Sequence, residues 1–194
     1  MSMEKRLFEL IYSCLKENRG KLQLPVRQRA KVEGWLKVEL LYSIWQELLH
    51  GNHNSEIEIE RPYPKNKKLR CDIFFTTPRK RNVYLELKIV NTSYNCNYNR
   101  IPKKTKAIAD NVNSVIEAAN RLRKFTKRGD QRIVAFVVYP LCKEKLSKWE
   151  KHESEINKKI GEFFDPKELI VFTNDKRVFM RLYLYQVFIK TQKY

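Results

Sequence analysis

Asp72, Glu86 and Lys88 are the residues whose types and spacing best fit chemistry. Glu86 and Lys88 lie two apart in Tyr84-Leu85-Glu86-Leu87-Lys88. In a β-strand residues two apart share a face, roughly 7 Å from each other. Val83, Leu85, Leu87 and Ile89 then point the opposite way, into a core. Asp72 lies in a second strand pattern, residues 69–76. Pro78-Arg79-Lys80-Arg81 supplies the turn that pairs it antiparallel with residues 82–90. A hairpin of this size brings Asp72 close to Glu86 and Lys88. Two carboxylates and the Leu87 main-chain carbonyl are hard oxygen donors of the kind Mg²⁺ takes, with Mn²⁺ expected to substitute. A cation held there would polarise a phosphate and lower the pKa of a bound water. Lys88 would orient that water or stabilise charge developing on the phosphate.

The surroundings of these residues sharpen the expectation. Between Arg61 and Lys106 the chain has thirteen Lys or Arg residues and two acids, Asp72 and Glu86. At the chain average of 22 acids in 194 residues, such a stretch should hold about five. The net charge is +18, so a polyanion is the expected partner: DNA, RNA or, less favoured, an anionic membrane. No run of 18 apolar residues occurs. Residues 1–19 carry Glu4, Lys5, Arg6 and Glu9 and lack the apolar stretch of a signal peptide. Cys14, Cys71, Cys96 and Cys142 are scattered, without zinc-ligand spacing. They read as reduced thiols of an intracellular protein, cytoplasmic or with DNA.

The elements that must position the site follow from periodicity. Leu7, Leu10, Ile11 and Cys14 are at helical spacing within residues 4–18, and Gly20 and Pro25 are expected to end that helix. Residues 28–49 read as a second, well-buried helix ended by His50-Gly51-Asn52. Strands are expected at 56–61, 69–76 and 82–90, then a polar loop at 91–102 and a helix at 105–127. Residues 133–139 are continuously apolar, as in a strand buried on both faces. A charged helix at 143–163 and strands at 169–172 and 178–189 close an α-α-β-β-β-α-β-α-β-β order. This is one α/β domain spanning 1–194, with a mixed, partly antiparallel sheet flanked by helices.

Asp72, followed by Glu86-Leu87-Lys88 on the next strand and then helix, strand and helix, resembles the PD-(D/E)XK nuclease superfamily. The resemblance covers about residues 28–140; 1–27 and 141–194 would be decorations, an extra N-terminal helix and C-terminal strands. It implies a restriction-endonuclease-like α-β-β-β-α-β core and Mg²⁺-dependent endonuclease activity, with double-stranded DNA as the expected partner. A homodimer stays open. Cys71 stands where the motif name has proline. Family members often add an acid from the helix before the sheet. Glu39 is the first choice, on a polar stripe with Ser43 and Gln46 flanked by Val32, Trp35 and Leu36; Glu33 is the second.

The loop after the catalytic strand is expected to meet nucleic acid. Tyr94 and Tyr98 can stack on bases, and Arg100, Lys103, Lys104 and Lys106 can meet phosphates. Arg121, Arg123, Lys124, Lys127 and Arg128 form a second basic cluster, but the dipole at a helix end favours cations with or without a ligand. His50, His53 and His152 are isolated, as surface or capping residues are. Two alternatives from other classes share the charge: a non-catalytic DNA- or RNA-binding protein on a nuclease-like fold, and a basic assembly protein. Convergence of Asp72, Glu86 and Lys88 in space separates the first reading from both.

Overall fold

The computed structural model of the chain describes residues 2–28, 30–49, 55–92, 94, 96, 107–172 and 178–189. Three helices open it. In α1 (Met3–Glu17) the Ser2 side chain accepts from the Lys5 N–H, and Leu7, Leu10, Ile11, Cys14 and Leu15 are buried. α2 (Arg19–Gln28) holds Pro25 inside it. α3 (Glu33–Ile44) runs into a π-helical turn, Trp45–Leu49. Then come β1 (Ile57–Tyr63), β2 (Asn66–Thr76), β3 (Asn82–Asn91), α4 (Ile108–Phe125), β4 (Gln131–Leu141), α5 (Leu146–Ile160), β5 (Glu162–Phe163), β6 (Lys167–Phe172) and β7 (Val178–Gln186).

The protein is a mixed α/β fold. Its seven strands form one sheet in the order β1-β2-β3-β4-β7-β5, with β6 also on β7. β3 and β4 are parallel, and α4 makes the crossover between them; the other pairs are antiparallel. Alternation along the strands builds two cores. Val83, Leu85, Leu87 and Ile89 of β3 join Leu36, Leu40 and Ile44 of α3 and the buried residues of α1 and α2. Tyr84 and Val90 join α4 and α5 on the opposite face. Residues 132–141 of β4 are all buried, as its apolar run requires.

α1 ends where the expected helix of residues 4–18 does, with Asn18 as its cap, but Gly20 and Pro25 lie inside a further helix, α2. Leu22 and Val26, one helical turn apart, are buried at 1% and 0% exposure, and their packing outweighs the local penalty of proline. α2 thus takes Gln28, the residue at which a long second helix was expected to begin, and α3 starts at Glu33.

Two features matter for the site. β2 pairs with β3 from Thr76↔Asn82 only as far as Ile73↔Leu85; beyond that point β2 pairs with β1 and β3 pairs with β4. α3 lies across β1, β2 and β3, held by Leu36, Leu40 and Ile44. Leu40→Ala should therefore destabilise the fold by about 2–5 kcal/mol in urea unfolding. A loss below about 0.5 kcal/mol would show that α3 is not anchored as described.

Candidate active site

The site is a row of carboxylates bridged by lysines. By register, Glu60 of β1 is opposite Asp72, between the pairs Ile59↔Ile73 and Arg61↔Cys71. Asp72 is likewise opposite Glu86, one step past Ile73↔Leu85. Neither position forms a ladder pair, and like charges directly opposite are unfavourable. Each gap is filled by a lysine. Lys37 of α3 places Nζ 2.6 Å from Glu60 Oε1 and 2.7 Å from Asp72 Oδ1. Lys88 places Nζ 3.0 Å from Asp72 Oδ2 and 3.2 Å from Glu86 Oε2. It also donates to the Leu87 main-chain oxygen at 2.6 Å. Glu60 has a left-handed φ of 53°, a conformation costing a non-glycine residue roughly 1–2 kcal/mol. Arg70 holds that kink by donating to the Glu60 carbonyl at 2.8 Å.

Asp72 also has a structural role. Its Oδ2 accepts the Leu87 N–H at 2.7 Å, so a carboxylate stands where a ladder carbonyl would otherwise serve β3. Burial alone would raise its pKa, but the charges of Lys88 and Lys37 and their hydrogen bonds outweigh this and hold it below 3.8. Glu86 behaves oppositely. It is 1% exposed, and burial, with Asp72 nearby, raises its pKa above 4.5 despite the Lys88 charge. The Tyr63 hydroxyl donates to Glu86 Oε1, and Arg121 of α4 donates to Oε2 at 3.2 Å. For Lys88, burial disfavours charge, yet Asp72, Glu86 and Glu33 together keep its pKa above the ordinary lysine value.

Asp72, Glu86, Lys88 and the Leu87 carbonyl therefore meet in space. The helix acid does not fall where the polar stripe pointed. Burial pushes the Cys14 thiol of α1 up and the charge of Glu39, the favoured choice, adds to this; among the described residues no ion pair joins Glu39 to Lys88. Glu33 is the one that approaches, with Oε1 3.8 Å from Lys88 Nζ. The physical reason is angular. Glu33 and Lys37 are four apart on α3 and share a face; Glu39 is six from Glu33, about 240° around the helix.

Of the loop residues expected to meet nucleic acid, Tyr94 lies among the described residues. It packs partly buried against both cores. Tyr98, Arg100, Lys103, Lys104 and Lys106 lie outside the described residues. Four residues of the site were not anticipated in their roles: Lys37, Glu60, Tyr63 and Arg121.

The donor set fits a hard divalent cation. Asp72, Glu86 and the Leu87 carbonyl are oxygens that already surround one ammonium. Among the described residues no group of three or more His, Cys, Asp or Glu side chains could hold a metal ion; the oxygens in question are two carboxylates and one main-chain carbonyl. Charge points the same way. Among the described residues Glu33, Glu60, Asp72 and Glu86 face Lys37, Lys88 and Arg121 alone, which leaves one negative charge over within this set when all are ionised.

No family model matches the chain, and comparison with curated proteins and with solved structures gives no match.

Asp72→Asn keeps the shape but removes the charge. Measured in EDTA, it should lower stability by about 1–3 kcal/mol near neutral pH. Because the folded pKa of Asp72 lies below 3.8, the wild-type advantage is present above that value and is lost as pH falls through the folded pKa. The deficit should be constant from neutral pH to about pH 5 and shrink below about pH 4. An equal deficit at about pH 3 and about pH 7 would show that Asp72 is not held by the lysines.

Proposed function

We propose that the protein is a metal-dependent nuclease of the PD-(D/E)XK type, hydrolysing phosphodiester bonds in DNA. The observation that carries this reading is the convergence of Asp72, Glu86 and the Leu87 carbonyl on Lys88 Nζ. The order α3-β1-β2-β3-α4-β4, with β1 to β3 antiparallel and β4 parallel to β3, supports a restriction-endonuclease-like core.

On this reading Asp72, Glu86 and the Leu87 carbonyl would hold the metal. Mg²⁺ or Mn²⁺ supplies Lewis-acid polarisation of the phosphate and a bound water of lowered pKa. The other residues position these groups. The Leu87 N–H and Lys37 fix the two oxygens of Asp72. Tyr63 and Arg121 fix those of Glu86. Lys88, kept protonated by three carboxylates, is suited to stabilising negative charge on the phosphate. Glu33 restrains the Lys88 ammonium from the helix side.

A second reading is a non-catalytic nucleic-acid-binding protein. One observation favours it: Asp72 is already matched by two lysines, as a purely structural carboxylate would be. Incubation with supercoiled plasmid separates the two. Nicking or linearisation should require Mg²⁺ or Mn²⁺ and vanish in EDTA, in Asp72→Asn and in Glu86→Gln. Mg²⁺ should also raise the thermal midpoint of the wild type and leave that of Asp72→Asn unmoved. Lys88→Ala should slow cleavage by about a hundredfold at saturating DNA, with folding checked by thermal denaturation. Its DNA affinity should fall by no more than one phosphate contact. Full cleavage in EDTA, or wild-type rates in both carboxylate variants, would overturn the nuclease reading.

A further inference from the structure

We propose that the tip of the β1–β2 hairpin and the C-terminal end of α4 form one continuous docking surface for the phosphate backbone of duplex DNA. This rests on the nuclease reading for its substrate and adds where that substrate is held.

The two segments are joined physically. The Lys65 N–H donates to the Phe125 carbonyl at 3.3 Å, and the Tyr63 and Phe125 rings lie 6.2 Å apart. The joint carries charge of one sign. Residues 64–71 and 121–128 contain no acid. Lys65, Lys67 and Lys68 of the hairpin, and Lys124, Lys127 and Arg128 of the helix end, are all exposed. Among the described residues none of these six takes part in an ion pair. Neighbouring Arg123, by contrast, is used within the fold and donates to the carbonyls of Lys159 and Phe188 at 2.9 and 3.2 Å.

The helix dipole does not explain the patch. It acts within the last turn, which includes Lys124. Lys127 and Arg128 lie past the end of α4, and the hairpin cations have no helix end to complement. Six unpaired like charges raise the energy of the folded protein by mutual repulsion, which a bound polyanion removes.

The surface suits a duplex. Single-strand binders add aromatic rings on which bases stack. Here Tyr63 and Tyr84 are buried, and Phe125 packs against the core beneath. Phosphate contact is what remains. The two segments also flank the site: beneath the surface, buried Tyr63 of the hairpin and partly exposed Arg121 of α4 both donate to Glu86. A strand lying on the surface therefore passes beside the site.

The test is fluorescence anisotropy of a labelled DNA duplex over a salt series in EDTA, where cleavage plays no part. Lys65→Ala/Lys67→Ala/Lys68→Ala and Lys124→Ala/Lys127→Ala/Arg128→Ala should each flatten the slope of log K against log salt, by up to about 2.7. The control Arg79→Ala/Lys80→Ala/Arg81→Ala removes the same charge from the far end of β2, where these residues are also exposed, and should leave the slope nearly unchanged. The proposal is overturned by equal flattening in the control, by unchanged slopes in both test variants, by tighter binding of a single strand than of the duplex, or by no duplex binding. Binding through this surface without cleavage in any metal would sink the nuclease reading and leave the docking surface standing. Cleavage with unchanged slopes would do the reverse.

Discussion

Everything at this site depends on the Asp72 carboxylate taking the Leu87 N–H where β2 and β3 part. Were the ladder to continue, Glu60, Asp72 and Glu86 would stand as direct neighbours on three adjacent strands. Such a row of ionised carboxylates would be costly. Instead β2 turns away with β1, the side chain of Asp72 satisfies the β3 amide, and the gaps admit Lys37 and Lys88. Parting the strands would ordinarily leave a buried main-chain donor without a partner. One carboxylate solves that problem and supplies the site with a ligand oxygen at the same time.

The same geometry splits the two central acids electrostatically. Asp72 has a backbone donor and two lysines against its two oxygens, and its pKa falls. Glu86 lies deeper; burial and the Asp72 charge outweigh Lys88, Tyr63 and Arg121, and its pKa rises. Neighbouring carboxylates pushed apart in this way are a hallmark of functional sites, although structural ion networks produce it too. The sign for stability also differs. Asp72 favours folding above its unfolded pKa, whereas ionising Glu86 works against folding as pH rises.

Strand patterning made Asp72, Glu86 and Lys88 legible, because alternation fixes which side chains share a face and the missing acids marked the region. The helix was harder. Apolar residues surround most of α3, so helical projection favours Glu39 over Glu33 without fixing which of the two meets the sheet. The pair Glu33 and Lys37, four apart, was the available clue, but Lys37 was one of 40 basic residues. Arg121 and Tyr63 were not recoverable from local pattern. Each acts on Glu86 across 35 and 23 positions of chain, and only the packing of α4 and the hairpin against β3 brings them there. α2 is not legible in local pattern, because the burial of Leu22 and Val26, a tertiary effect, overrides the breaking tendency of Gly20 and Pro25.

A chain with a net charge of +18 draws polyanions to its surface, yet the proposed reacting point is a cluster with one excess negative charge. A phosphodiester brought to that cluster meets carboxylates, and the low dielectric around a residue as buried as Glu86 magnifies the repulsion. Lys88 cannot remove it alone, because its charge is already shared among Asp72, Glu86 and Glu33. On the nuclease reading a further cation between carboxylates and phosphate is therefore required by electrostatics, and oxygens from Asp72, Glu86 and Leu87 are the groups arranged to take it. If the cluster is structural, no such cation is needed, and the excess negative charge should instead hold nucleic acid away from the β2–β3 split while the basic hairpin and helix end still attract it. The two readings thus differ in how phosphate and metal affect each other: divalent cation should strengthen contact at the split in the first case and only screen the basic surface in the second.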